Sequence, residues 1–373
     1  MRILVALTYY RPHVSGLTLY AERQARALAA RGHDVTVLTS RYDARLPLDE
    51  RRDGVAIRRV PVAARIGKGV VMPTIGWHAT REVWRHDAVI LHLPQLDAAG
   101  IAARARLFGK PAALVHHCDL HLPGGMVNRL AERVVTTANQ VAARLATHVV
   151  AYTQDFAATS PLLRNHAHKL HVALPPIEAP DDEPVSHRPA RPVIGMATRF
   201  AAEKGIDVLL EALPALLARH PDACVRFAGQ VHDVWGEEAL RARLLPRIAT
   251  LERAGRWQFV GALEPAAMPG FYRDLSMLIV PSLNSTETFG LVQIEAMLQG
   301  VPVVASDLPG VRQPVAMTGF GRVVPVADAQ ALAEAMADVY EHPPVPRLSR
   351  ADLVRQFSPD ANAAFVERLL EAR

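Results

Sequence analysis

Two tandem doubly wound α/β domains are the fold class this sequence predicts, and three observations predict it. Short apolar runs of strand character alternate with helical stretches from the first residues onward, the pattern of β-α-β units on a parallel sheet. That pattern stops at a proline-rich stretch and restarts after it. The chain has 373 residues, half of them hydrophobic, which is too long for one ordinary core and enough for two.

The opening "RILVAL" reads as a buried strand. A helix follows through "LTLYAERQARALAARG", which Gly32 stops, and then the strand "DVTVLTS". Further strands read at "DAVILHL", "PAALVHH", "HVVAYT" and "LHVALP", so the first domain spans residues 1–178. The stretch "PPIEAPDDEPVSHRPARP" holds six prolines, several charges and no apolar periodicity. Within it, residues 179–192 read as an interdomain linker. The second domain, residues 193–354, repeats the alternation: strand "VIGMATR", helix "IDVLLEALPALLARHP", strand "CVRFAG", a helix around 236–253, strand "WQFVG", helix "AAMPGFYRDL", strand "MLIVPS", a loop, helix "LVQIEAMLQ" and strand "VPVVASD". The tail, 355–373, is expected to pack back on the first domain. Doubly wound sheets bind ligands beyond the C-terminal ends of their strands, so chemistry is sought in the loops that follow strands, with the two domains facing across a cleft.

Composition narrows the function classes. No run of about 18 uncharged apolar residues occurs, so a spanning helix is not expected. The start lacks the apolar core and cleavage site of a signal peptide, and the only cysteines, Cys118 and Cys224, frame neither a disulfide network nor a zinc site. A cytoplasmic protein is expected. Residues 1–180 hold 23 basic and 13 acidic side chains, whereas the remaining 193 hold 19 and 24, so a basic half precedes an acidic one. Scattered basic residues with few aromatics argue against nucleic acid. An anionic acceptor or membrane surface suits the first half, as does an Arg-rich composition without a partner.

In "LNSTETFGLVQIEAMLQG", Thr286, Glu287 and Thr288 are expected at a helix N-terminus, where free N–H groups favour an anion, and Gly300 is expected just past the helix end. Glu287 would also serve as a simple cap. Glu295 lies among Ile294, Met297 and Leu298 and needs partners there, which a ligand's hydroxyls would supply. In "GMATRFAAEKGID", Arg199 and Lys204 follow a strand and are placed to clamp a diphosphate, although a solvated basic loop reads as well. Gly205 lets that backbone turn closely. In the first domain, Gly16 could bring backbone N–H groups to a phosphate, but the G-x-G-x-x-G fingerprint is absent, which counts against a nicotinamide-dependent oxidoreductase. "ALVHHCDLHLPGG" crowds His116, His117, Asp119 and His121 at a strand end. Adjacent histidines on an extended strand point to opposite faces, so joint metal ligation is awkward, and a site residue or a packed core histidine reads better.

Together these residues resemble the retaining family 4 glycosyltransferases of the GT-B fold. The resemblance rests on E-x7-E (Glu287 to Glu295), R-x4-K (Arg199 to Lys204), the glycine loop after the first strand, and the histidine of the first domain. Two departures are Ser15-Gly16 where a Gly-Gly pair is common, and "ALPPIE" at the end of the first domain. The resemblance implies a retaining transfer of sugar from a UDP- or GDP-linked nucleotide-diphospho-sugar to an acceptor hydroxyl, with no cofactor and no metal. It implies that Glu295 binds the ribose, Glu287 the donor sugar, and Phe289, Gly290 and Leu291 the sugar and diphosphate through backbone N–H groups, with Thr288 beside them. Arg199 and Lys204 would neutralise the departing diphosphate, Gly16 would meet a phosphate, and His117, with His116 as the alternative, would lie over the donor sugar. His13, Ser15, His116 and Asp119 are candidates on the acceptor side.

The acceptor would be a glycan, a glycolipid or a small glycoside bound by the first domain. The apolar stretch at 65–77, flanked by Arg65 and Lys68, and the helix through "MVNRLAERVVTTANQVAARL" with Arg129, Arg133 and Arg144 could rest weakly on an anionic membrane at its inner face. Both could equally pack into the domain. Rival readings are a sugar-nucleotide epimerase, which would change the donor without an acceptor, and a non-catalytic nucleotide-sugar binding protein.

Overall fold

The structure is a computed structural model of the full chain, and it describes all residues except 68, 123–124, 181–183, 185–188, 233 and 373, together with the side chains of 66 and 127. Half of the proposed linker, and Lys68, therefore lie outside the described residues. The chain divides into two compact units, Met1–Glu178 with Gln356–Arg373, and Ala179–Arg355.

The first unit runs β1 (Arg2–Ala6), α1 (Gly16–Ala30), β2 (Asp34–Arg41), β3 (Asp49–Arg52), β4 (Val55–Pro61), the hairpin β5 (Ala64–Ile66) and β6 (Gly69–Val71), α2 (Ile75–Arg85), β7 (Ala88–Leu93), α3 (Ala98–Leu107), β8 (Ala112–His116), α4 (Met126–Leu145), β9 (His148–Ala151), the short α5 (Gln154–Ala157) and α6 (Pro161–Asn165), and β10 (Leu170–Val172). Its sheet has the order β10-β9-β8-β7-β1-β2-β4-β3 and is parallel except for β3 against β4. The four strands between β2 and α2 went unread in the sequence. β3 is the polar run "DERR" at the sheet edge, and β4 interleaves Arg58 and Arg59 with its apolar residues, so neither shows a clean apolar run.

The second unit runs β11 (Val193–Ala197), α7 (Ile206–Arg219), β12 (Cys224–Ala228), α8 (Glu238–Arg253), β13 (Trp257–Gly261), α9 (Met268–Arg273), β14 (Met277–Val280), α10 (Leu291–Leu298), β15 (Val303–Ser306), α11 (Gln313–Thr318), β16 (Gly321–Val324), α12 (Ala329–Glu341) and α13 (Arg350–Phe357), which carries the chain back to the first unit. Its order, β13-β12-β11-β14-β15-β16, is parallel throughout. Its strands are nearly continuous apolar runs because helices cover both faces of such a sheet.

The last helix, α14 (Pro359–Glu371), lies on α1 in the first unit. A buried polar side chain fixes that docking. Asn362 accepts from Gln24 Nε2 at 2.8 Å and donates to the Tyr20 hydroxyl at 3.0 Å and the Leu174 carbonyl at 2.9 Å. Deep in a helix pair such a group is tolerated only when satisfied.

Candidate active site

In the second unit the strand order reverses at β11, whose neighbours are β12 and β14. The loops after β11 and β14 therefore leave side by side from the C-terminal edge of the sheet, where doubly wound sheets hold ligands. Glycine at 205 makes the close approach possible. Its φ is 69°, and a Cβ there would sit 2.0 Å from the Pro281 carbonyl oxygen. The Leu283 N–H donates to the Glu203 carbonyl at 2.9 Å, tying the loops together.

This packing brings Lys204 to Glu287 across 83 residues of sequence. Lys204 Nζ donates to Glu287 Oε2 at 2.8 Å, in a pair still partly open to water. The other carboxylate oxygen, Oε1, accepts from the Gly290 N–H at 3.0 Å, so Glu287 is a cap and an ion-pair partner at once. Gly290, with φ 72°, is the N-cap of α10. The helix begins at Leu291, where the sequence placed it. Thr286, Glu287 and Thr288 belong to the preceding turn, where Asn284 Oδ1 accepts from the Thr286 N–H at 3.1 Å and hydroxyl at 2.6 Å. Thr288 and Phe289 are buried. Gly300 has φ 78° just beyond the helix, as read.

Arg199 is nearly half exposed, and its Nη2 donates to Glu203 Oε1 at 3.1 Å. Glu295 is half-buried on α10, where the buried Tyr272 of α9 donates its hydroxyl to Oε2 at 3.0 Å. Tyr272 went unnoticed in the sequence because its proximity to Glu295 depends on α9 packing against α10. The sequence-predicted set Arg199, Lys204, Glu287, Thr288, Phe289, Gly290, Leu291 and Glu295 thus lies on β11, β14 and the elements that follow them.

In the first unit, Ser15 and Thr18 form a capping box at the start of α1. Ser15 Oγ accepts from the Thr18 N–H at 3.2 Å, and Thr18 Oγ1 accepts from the Ser15 N–H at 2.7 Å. Gly16, the first residue of the helix, is exposed. His13 is exposed in the same loop, its ring 5.0 Å from that of Tyr9 and 5.9 Å from that of Tyr42.

His116 and His117 diverge, as strand alternation requires. His116 shares its Nε2 with Asp119 Oδ1 at 3.0 Å, the Ser160 hydroxyl donates to the same oxygen at 2.8 Å, and the His116 ring stacks on Phe156. Burial pushes the Asp119 carboxyl up, but the bonds from His116 and Ser160 outweigh it and hold it below the usual value. His117, only 5% exposed, turns the other way. Its Nε2 meets His92 Nδ1 at 2.8 Å, its Nδ1 meets the Tyr152 hydroxyl, and Tyr20 lies edge-on at 5.0 Å. Burial, with smaller contributions from His92 and His116, holds the His117 pKa well below the ordinary histidine value, and burial puts His92 at about 3. Both rings are neutral at pH 7. His92 carried one readable signal, a polar residue inside the apolar strand "AVILHL". Among the described residues, no group of three or more His, Cys, Asp or Glu is arranged to hold a metal ion.

Two parallel-sheet units, the second with charged side chains gathered on the loops at its switch point, have the GT-B fold of the solved structures they resemble. Residues 179–356 match the family model of glycosyl transferases group 1, and residues 15–175 match that of the glycosyl transferase 4-like domain. The chain is a glycosyltransferase and belongs to this family 4-like group. It is 29% identical over 391 residues to 2-deoxystreptamine N-acetyl-D-glucosaminyltransferase of Streptomyces fradiae, covering 96% of this chain and 90% of that protein. It is 27% identical over 351 residues to D-inositol 3-phosphate glycosyltransferase of Jonesia denitrificans, covering 83% and 79%. The solved structure of Anabaena HepE in complex with UDP-glucose aligns over 100% of both chains, with a TM-score of 0.75 at 17% identity.

Proposed function

We propose that this glycosyltransferase takes a sugar from a nucleotide-diphospho-sugar, UDP-linked before GDP-linked, and passes it with retention of configuration to a hydroxyl of a polyhydroxylated ring, free or lipid-linked. The observation that carries the reading is the Lys204–Glu287 pair at the switch point of the second unit, with Arg199 and Glu295 on the same set of loops and helices. The solved neighbour holding UDP-glucose supports the donor class, and the relatives named for 2-deoxystreptamine and D-inositol 3-phosphate support the acceptor class.

In this mechanism Glu295 accepts hydrogen bonds from the ribose hydroxyls, and Glu287 exchanges its lysine for hydroxyls of the donor sugar. Lys204 and Arg199 then face the diphosphate and stabilise the negative charge that grows there as the bond from the anomeric carbon to the phosphate oxygen breaks. The acceptor oxygen bonds to that carbon on the same face, and its proton passes to the leaving phosphate oxygen. Two protein cations supply the electrostatic role that a divalent ion plays elsewhere, so the reaction proceeds without a metal. His117 enters this scheme as a neutral ring, not as a cation.

A thermal-shift screen of UDP- and GDP-sugars on the native chain and on Glu295→Ala tests the donor site. A donor at about 100 times its dissociation constant adds about 2.7 kcal/mol of stability, and the shift is expected to vanish in the variant. Incubating that donor with and without myo-inositol, with the product's anomeric proton read by NMR, tests the reaction. A donor that changes with no acceptor present points to an epimerase, and the absence of any donor shift overturns the reading.

A further inference from the structure

α2, α3 and α4 form one layer on the sheet of the first unit. α3 packs against both neighbours, Arg104 on α3 donates to Thr80 on α2 at 2.7 Å, and Ala79, Val83, Ile101, Ala102, Ala142 and Ala143 share a single core with the strands beneath. The opposite face of that layer is not simply polar. Trp77 and Trp84 on α2 are 62% and 67% exposed, Leu107 at the end of α3 is 77% exposed, and Met126 and Leu130 on α4 are 80% and 64% exposed, with Val134 and Val141 also outward. Trp77 and Trp84 stand seven residues apart, and Met126, Leu130, Val134 and Val141 recur at steps of four, four and seven, so each set follows one stripe of its helix. Single exposed apolar side chains are ordinary, but runs of them on adjacent helices mark an interaction surface.

Charge identifies the occupant. Arg85, Arg106, Arg129, Arg133 and Arg144 are exposed on these helices, whose only acids are Glu82 and Glu132. Glu82 is buried and pairs with Arg58 at 3.0 Å, and a Glu132 carboxylate oxygen accepts from the Leu122 N–H at 2.9 Å. Neither neutralises the face. A second copy seated symmetrically on it would set arginine against arginine, which disfavours a dimer. Exposed tryptophans among arginines instead match lipid headgroups, where indole rings take the boundary between water and hydrocarbon and guanidinium groups meet phosphate.

We propose that this face rests on an anionic membrane surface, Trp77 and Trp84 entering the headgroup layer and the arginines meeting lipid phosphates, so that a lipid-linked acceptor reaches the enzyme at the membrane. Only the identity of that acceptor rests on the function proposed above, because the contact itself does not require transfer. Attachment is peripheral, since no described helix is long and apolar enough to cross a membrane. Of the two segments expected at a membrane, the helix with Arg129, Arg133 and Arg144 is α4 and stays on this face. In 65–77, Val70 and Met72 join the core and Arg65 donates to the Tyr42 carbonyl, so that segment contributes through Trp77 on α2.

Sedimentation of the full chain with vesicles of phosphatidylcholine, with and without phosphatidylglycerol, tests this at low and high salt. Binding is expected only to phosphatidylglycerol vesicles, with a blue shift of tryptophan emission, and is expected to fall as salt rises. Replacing Arg129 and Arg133 with Gln should weaken it by about tenfold or more. The double variant Trp77→Ser, Trp84→Ser should remove the blue shift, leaving the donor thermal shift and transfer to a soluble polyol unchanged. No binding at low salt overturns the proposal, as does binding that neither variant alters. So does light scattering that shows a dimer which the tryptophan variant dissociates, because a second copy would then be the occupant.

Discussion

At the switch point of the second unit, Lys204 and Glu287 form an ion pair that remains partly open to water, whereas beyond β7 and β8 of the first unit His92 and His117 share a hydrogen bond out of reach of solvent. The two regions occupy comparable places, at the C-terminal edges of doubly wound sheets, and manage charge oppositely. A partly exposed ion pair contributes at most about 1 kcal/mol, so a ligand's phosphate and hydroxyls can displace it at little cost. The histidines have lost their water and cannot take a proton without a large penalty, so they supply fixed shape and hydrogen-bonding direction. One region is built to exchange partners, the other to hold still.

The sharpest way to break that comparison is Lys204→Met. If the lysine stabilises the leaving group, kcat/KM should fall by about 10²–10³-fold, or about 3–4 kcal/mol of transition-state stabilisation, with little change in the urea midpoint. A loss of stability that matches the loss of rate would reduce the pair to a structural tie.

Gly205→Ala should have nearly as large an effect on folding. A methyl group 2.0 Å from the Pro281 oxygen, on a backbone at φ 69°, must push the two loops apart, at a cost of about 3 kcal/mol in urea unfolding. Donor binding should weaken with it, because the same contact holds Lys204 beside Glu287. Full donor affinity in a destabilised Gly205→Ala chain would separate loop packing from the site.

The histidine region should reveal itself through pH. His92 titrates at about 3 when folded, against an ordinary value of 6.5. Above 6.5 its contribution to stability is complete. As pH falls from 6.5 towards 3, the unfolded chain binds a proton that the folded chain refuses, and stability drops by about 1.4 kcal/mol per pH unit. Between pH 7 and pH 5 the loss from His92 is about 2 kcal/mol, increased by His117, and His92→Leu should flatten the slope. A urea midpoint that stays constant over that range would mean that the folded cluster accepts protons.

Tyr272→Phe is the mildest probe. Losing the 3.0 Å bond to Glu295 should cost about 1 kcal/mol of stability and a few-fold in donor affinity, because the carboxylate loses its fixed orientation. Donor affinity as weak as that of Glu295→Ala would make the tyrosine a direct partner of the nucleotide.

Much of this was readable along the chain because it is local. The alternation of apolar runs and helical stretches set the order of most strands and helices, and Gly300 marks the end of α10 because only a residue tolerant of φ 78° sits there easily. E-x7-E and R-x4-K were visible as spacings. The edge strand β3 and its neighbour β4 were not, since β3 is wholly polar and β4 breaks its apolar residues with Arg58 and Arg59. Nor was the capping of α10, whose start at Leu291 was read but whose N-cap depends on Gly290 turning left-handed and on Glu287 reaching forward to its N–H.

By itself the sequence determined the two-unit α/β character, the residues of the charged loops and the opposed directions of His116 and His117, because periodicity and strand alternation act within a few residues. Only the tertiary structure decided that Lys204 meets Glu287, that Tyr272 holds Glu295, that Asn362 on the last helix docks against Gln24 and Tyr20 on the first, and that Trp77 and Trp84 face outward. Each of these depends on which strands become neighbours and which helix faces are covered, and that is settled by long-range packing of parallel strands, which residues close in sequence cannot specify.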